Sequence, residues 1–121
     1  MNVHPVTPAI GAEISNIDLT VPLEQATCDL IYQLLIEYQA IFFRNQRISP
    51  EHHLTLACTF GEPEEVHPVY PHVEGFSNIV FLKNGPDNPP DPNDWHTDLT
   101  FRQEPPFASV LSAKVVPECG G

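Results

Sequence analysis

The stretch that decides the reading of this chain runs Asn84-Gly85-Pro86-Asp87-Asn88-Pro89-Pro90-Asp91-Pro92-Asn93-Asp94-Trp95-His96-Thr97-Asp98-Leu99-Thr100-Phe101. Residues 84–94 carry neither helical nor strand periodicity, and a connection of that length inside a compact domain is uncommon and tends to be functional or disordered. Directly after it stands His96-x-Asp98. On an extended segment residues i and i+2 point to the same side, so this imidazole and carboxylate could share one metal ion. With a second histidine they would form the two-His, one-carboxylate facial triad, which leaves positions open on Fe(II) for substrate and oxygen. Spacing alone specifies little. With 6 His and 6 Asp in 121 residues, chance supplies about 0.3 such pairs, and His72-x-Glu74 repeats the pattern. At this point a hydrogen-bonded pair at a strand end explains His96 and Asp98 better than a metal site does.

Outward from this stretch, proline is dense. Nine of the 14 prolines lie from Pro63 to Pro106, interleaved with Tyr70, Phe76, Ile79, Phe81, Trp95 and Phe101. A disordered linker lacks such apolar anchors, so the pattern predicts ordered loops pinned on a scaffold. Ser77–Lys83 and Phe107–Val116 read as strands bounded by turn residues. Upstream, Leu30, Ile31, Leu34, Leu35 and Tyr38 recur at helical period, opposite Asp29, Gln33 and Glu37, which predicts a helix over 24–39. Ala40-Ile41-Phe42-Phe43 then reads as a short buried strand. Ser49-Pro50-Glu51 is a helix start, since serine caps and proline suits the first turn, and Gly61 is placed to end that helix. His52 and His53 fall on its expected solvated face. The first twenty residues, broken by Pro5 and Pro8, predict short extended pieces, with His4 on a terminal strand. No repeat and no internal domain boundary is visible, so residues 1–121 read as part of one domain, with few strands to close a sheet.

Composition bounds the function. The 121 residues hold 5 Lys+Arg against 16 Asp+Glu, a formal net charge of −11. No basic cluster exists, which excludes a nucleic-acid-binding surface. No apolar run approaches the roughly 20 residues needed to span a bilayer, and Met1-Asn2-Val3-His4-Pro5 does not open a secretory signal. The expectation is a soluble, cytoplasmic chain. Cys28, Cys58 and Cys119 are scattered without C-x-x-C spacing, so neither a disulfide framework nor a zinc knot is indicated. Each is expected to be a small packed residue rather than a reactive thiol.

Several motifs in one order are more specific than any alone. His67-Pro68-Val69-Tyr70-Pro71-His72, Asp87-Asn88-Pro89-Pro90-Asp91, Trp95-His96-Thr97-Asp98-Leu99-Thr100-Phe101, Pro105-Pro106 and Pro117-Glu118-Cys119-Gly120-Gly121 together resemble the taurine dioxygenase family of Fe(II)- and 2-oxoglutarate-dependent oxygenases. Ile10-Gly11-Ala12 and Asp18-Leu19-Thr20 extend the resemblance to the start of the chain. It implies an α+β fold: part of a double-stranded β-helix (a cupin-like jelly roll) with flanking helices, truncated before its C-terminal half. It implies His96 and Asp98 as iron ligands, His67 and Tyr70 as contacts to the substrate sulfonate, and Leu99 and Phe101 as apolar pocket walls. It further implies Fe(II), the cosubstrate 2-oxoglutarate, molecular oxygen and a small anionic substrate. The reaction implied is hydroxylation of taurine or a related alkyl sulfonate at the carbon beside sulfur, with release of sulfite; whether the protein is a homo-oligomer is open.

The chain departs from the family at Pro92, where taurine enzymes carry a substrate-contacting asparagine. Proline has no side-chain donor, and Asn93 is the neighbouring residue able to replace it. The family's remaining ligand histidine, the arginines that bind the two anions and a cosubstrate-contacting threonine are expected downstream of these 121 residues. Two other readings stay open: a non-catalytic truncated fragment, and a metal-dependent hydrolase using His96 and Asp98 with His67 and His72.

Overall fold

The computed structural model describes residues 1–64, 70–85, 87–89 and 95–119. The chain divides into two compact units, Met1–Phe60 and Gly61–Gly121.

The first unit is built around a βαβ crossover. Strand β1 (Asn2–Pro5) pairs antiparallel with β2 (Ala12–Ser15), with Val3 opposite Ile14. Strand β2 pairs in parallel with β3 (Ile41–Phe43), Ala12 opposite Ile41 and Ile14 opposite Phe43. Parallel neighbours need a long return, supplied here by helix α1 (Gln25–Tyr38). The sheet order β1-β2-β3 puts β2 in the centre. Its period of two therefore buries Ala12 and Ile14, which pack with Leu34 of α1 against Val3, Ile17, Tyr38, Ile41 and Phe43.

Local chemistry fixes each end of this motif. Proline is tolerated in β1 at the edge. The Thr7 hydroxyl donates to the Ile10 carbonyl at 2.6 Å and accepts from the Ile10 amide at 3.0 Å, shaping the β1–β2 turn. Gly11 then takes φ 91°, and a Cβ there would meet the Phe42 ring at 3.4 Å. Its amide donates to the Tyr38 carbonyl at 2.9 Å, stitching the strand to the end of α1. That helix closes on Gln39 in the left-handed conformation, with its amide donating to the Leu35 carbonyl at 2.8 Å.

Gln46 joins β3 to the segment entering α1. Its Oε1 accepts from the Leu19 amide at 2.9 Å, and its Nε2 donates to the carbonyls of Ile17 and Arg44, both at 3.1 Å. Nearby, the Asp18 carboxylate accepts from the Thr20 hydroxyl at 2.7 Å and the Thr20 amide at 2.8 Å. These bonds, the side-chain one foremost, lower the Asp18 pKa from its ordinary value. Helix α2 (Pro50–Cys58) begins with a capping box in which His52 replaces the usual Glu or Gln. Ser49 Oγ accepts from the His52 amide and His52 Nδ1 accepts from the Ser49 amide, each at 3.3 Å.

Among the described residues of the second unit, β4 (His72–Val73) and β5 (Phe76–Val80) form a hairpin turning through Gly75 at φ 79°. Phe81 extends it by one bond, its amide donating to the Pro71 carbonyl at 2.8 Å. In the proline-rich connection Gly85 and Asn88 exchange both backbone hydrogen bonds, and the Asn88 side chain donates to the Lys83 carbonyl at 2.7 Å. Residues 95–119 form turns and irregular backbone.

Five expectations are corrected. Phe107–Val116 is not a strand but irregular backbone, with Leu111, Val115 and Val116 well exposed. The strand expected over 77–83 lies at Phe76–Val80, and Leu82 beyond it faces outward. Strand β3 is only partly buried, because it lies at the sheet edge and Phe42 is exposed. His52 is half-buried in its cap rather than on a solvated face, and Cys58 and Cys119 are exposed thiols, not packed ones. The small sheets and two helices make the chain α+β, with no closed barrel among the described residues. No helix among them is long and apolar enough to cross a membrane.

Candidate metal centre

His96 and Asp98 meet. Their Nε2 and Oδ1 atoms lie 3.3 Å apart, on side chains that expose 71% and 65% of their surface. Two donors on adjacent octahedral positions, each at about 2.1 Å from an ion, lie about 3 Å apart, so the separation fits a shared cation. One imidazole nitrogen and one carboxylate oxygen suit Fe(II) or a similar divalent ion. Among the described residues no group of three or more His, Cys, Asp or Glu side chains is placed to hold a metal. What the described residues bring together here is one imidazole nitrogen and one carboxylate oxygen.

The backbone that presents the pair turns sharply. Leu99 adopts φ 51°, a left-handed conformation that costs a non-glycine residue about 1–2 kcal/mol and persists only where the surroundings hold it. Two contacts close the turn: the Arg102 amide donates to the Leu99 carbonyl at 3.1 Å, and the hydroxyls of Thr97 and Thr100 lie 2.8 Å apart. Beyond the turn, the Arg102 guanidinium pairs with the Glu64 carboxylate. The Glu64 carbonyl accepts in turn from the side chain of Asn78 on β5. Sequence reading did not find Glu64, Asn78 or Arg102. The one signal available was opposite charge, and nothing local links residues 38 positions apart.

Of the remaining expected site residues, Leu99 is half-buried in the turn, Tyr70 is exposed just ahead of β4, and Phe101 exposes 85% of its surface. His72 is exposed on β4. His67, Pro92 and Asn93 lie outside the described residues. The structure thus brings together His96 and Asp98, and ties their turn to Glu64 and β5.

Imidazole nitrogen and carboxylate oxygen are the ligand types found together in non-haem iron sites. The sequence model of the taurine catabolism dioxygenase TauD, TfdA family matches residues 2–121, and the chain belongs to that family. It is 37% identical over its whole length to an α-ketoglutarate-dependent sulfate ester dioxygenase of Pseudomonas putida, and 34% identical to an alkylsulfatase of Acinetobacter baylyi. It spans 40% and 38% of the lengths of these relatives. A solved taurine dioxygenase from Burkholderia xenovorans superposes on 63% of the chain, and 27% of its own, with TM-score 0.59 and 37% identity.

Proposed function

We propose that the protein to which residues 1–121 contribute is an Fe(II)- and 2-oxoglutarate-dependent dioxygenase that hydroxylates a small anionic organosulfur substrate. In this reading the chain is the N-terminal part of a single dioxygenase domain, and the rest of a double-stranded β-helix supplies the distal histidine and the cosubstrate-binding arginines. The observation that carries it is the His96–Asp98 contact at 3.3 Å, inside a chain matched by the family from residue 2 onward.

His96 and Asp98 would hold the iron, which when bound with 2-oxoglutarate supplies oxidative hydroxylation of an unactivated C–H bond. The chain's own residues set where that power is aimed. His96 Nε2 and Asp98 Oδ1 would supply two of the ion's donors. Leu99 follows the second donor in a left-handed turn, and its half-buried side chain is proposed as an apolar wall for the substrate's carbon skeleton. His67 and Tyr70 are proposed to receive the anionic sulfur group, with Asn93 as a further donor and Phe101 as a second wall. We place the enzyme in the cytoplasm.

Taurine and related alkyl sulfonates are the first substrates to test, with sulfite as the released product. Sulfate esters form the second reading. Two observations favour it: relatives at 37% and 34% identity are named for sulfate ester and alkyl sulfate chemistry, and Pro92 offers no side-chain donor where taurine enzymes contact their substrate. The experiment is anaerobic loading of the full-length protein with Fe(II) and 2-oxoglutarate, then oxygen and a panel of taurine, alkyl sulfonates and alkyl sulfates. Succinate in step with sulfite or sulfate supports the reading and chooses between the two substrates. Product release without 2-oxoglutarate would make the protein a hydrolase instead.

A further inference from the structure

The donor pair sits on backbone that has no regular structure of its own. Residues 95–119 form no helix or ladder, and Leu99 holds a conformation its side chain disfavours. What links this turn to the hairpin is a chain of three side chains. Arg102, whose amide closes the turn on Leu99, pairs through its guanidinium with Glu64. Glu64 is held by Asn78 of β5 through its carbonyl. Three segments distant in sequence thus converge on Glu64: the end of 61–64, strand β5 and the metal-donor turn. The chain has only 5 Lys+Arg, and one of them is committed here.

We infer that Arg102 is a positioning residue for the proposed metal centre, acting through Glu64 to fix the His96–Asp98 turn against the β4–β5 hairpin. The inference rests on the proposed metal-binding reading of that pair. Arg102 touches neither donor in the role assigned to it; it limits the orientations the turn can sample, so its loss lowers the fraction of protein with both donors correctly placed. Both partners are partly exposed, at 41% and 46%, and an exposed pair of this kind shifts an equilibrium by no more than about fivefold.

The test is Co(II) titration of full-length protein, read by the visible absorption of the bound ion. The variants are Arg102→Ala, Glu64→Ala, both together, and the charge-reversed pair Glu64→Arg with Arg102→Glu. His96→Ala and Asp98→Ala serve as controls for the site itself. The expected result is affinity weakened about three- to fivefold by either single alanine, no further loss in the double, and recovery in the reversed pair. Arg102→Ala binding like wild type, or alanine losses that simply add, would overturn the inference. Should the His96 and Asp98 controls keep full affinity, the metal reading itself fails. Hydrogen exchange of the metal-free protein then judges the strut: faster exchange over 95–102 in Arg102→Ala with an unchanged hairpin supports it, and unchanged exchange refutes it.

Discussion

Removing the Gln46 side chain should destabilise the first unit by roughly 2–3 kcal/mol. Its amide makes three hydrogen bonds, at 2.9, 3.1 and 3.1 Å. The one to the Arg44 carbonyl is exposed, so in Gln46→Ala water replaces it at little cost. The other two are part-buried, each contributes about 1 kcal/mol net, and an orphaned amide adds its own desolvation penalty. Leu19, whose amide loses its acceptor, is a buried residue. Gln46→Glu refines the test. Its carboxylate still accepts from Leu19 but faces the Ile17 and Arg44 carbonyls, which repel the charged form and raise its pKa on folding. A group with a raised folded pKa contributes stability below its unfolded pKa and loses it as pH rises, so this variant should recover stability on acidification while Gln46→Ala does not. The assay is urea denaturation followed by far-ultraviolet circular dichroism, since both helices belong to the first unit. With a slope of about 1–2 kcal/mol per molar urea, the midpoint should fall by about 1–3 M. A loss below about 0.5 kcal/mol at unchanged slope would refute the claim that Gln46 locks β3 to the entry of α1.

Three further outcomes are expected. His52→Ala should cost about 1 kcal/mol by removing the acceptor for the Ser49 amide, whereas His52→Gln, the ordinary capping-box residue, should restore it; thermal unfolding of the pair checks this. Asp18 has a lowered folded pKa, so its contribution is present above the unfolded value and is lost as pH falls through about 4 and below. The stability difference between wild type and Asp18→Asn should therefore narrow in acid, measured by denaturation at stepped pH. Leu34→Ala should cost about 2–4 kcal/mol, because Leu34 packs on Ala12 and Ile14 in the core, and urea midpoints measure it.

Much of the first unit was legible because its signals are local. Helix α1 starts and stops within one residue of its expected limits, since the apolar face through Ile31 and Leu34 is periodic. Even there Leu30, on the same expected stripe, is exposed. Helix α2 was marked by Ser49-Pro50, yet the part played by His52 was not, because a histidine at that position carries no capping signature. The second unit was harder to read. Phe107–Val116 has strand composition, but composition cannot supply a ladder partner. At the candidate site, His96 and Asp98 were singled out by the motifs around their i, i+2 spacing, and the two side chains meet. The left-handed Leu99 was hidden because leucine gives no hint of positive φ. The Glu64–Arg102 pair was hidden because it depends on how distant segments pack.

His96 and Asp98 are proposed to hold the iron of a 2-oxoglutarate-dependent oxygenase. The most direct test is succinate formation by the iron-loaded full-length protein, wild type against His96→Ala and Asp98→Ala, with 2-oxoglutarate, oxygen and the best substrate of the panel. Turnover is expected in the wild type, with a loss of about a hundredfold or more in each variant, because either substitution removes a proposed metal donor. Near-normal succinate formation by both variants would contradict the proposal.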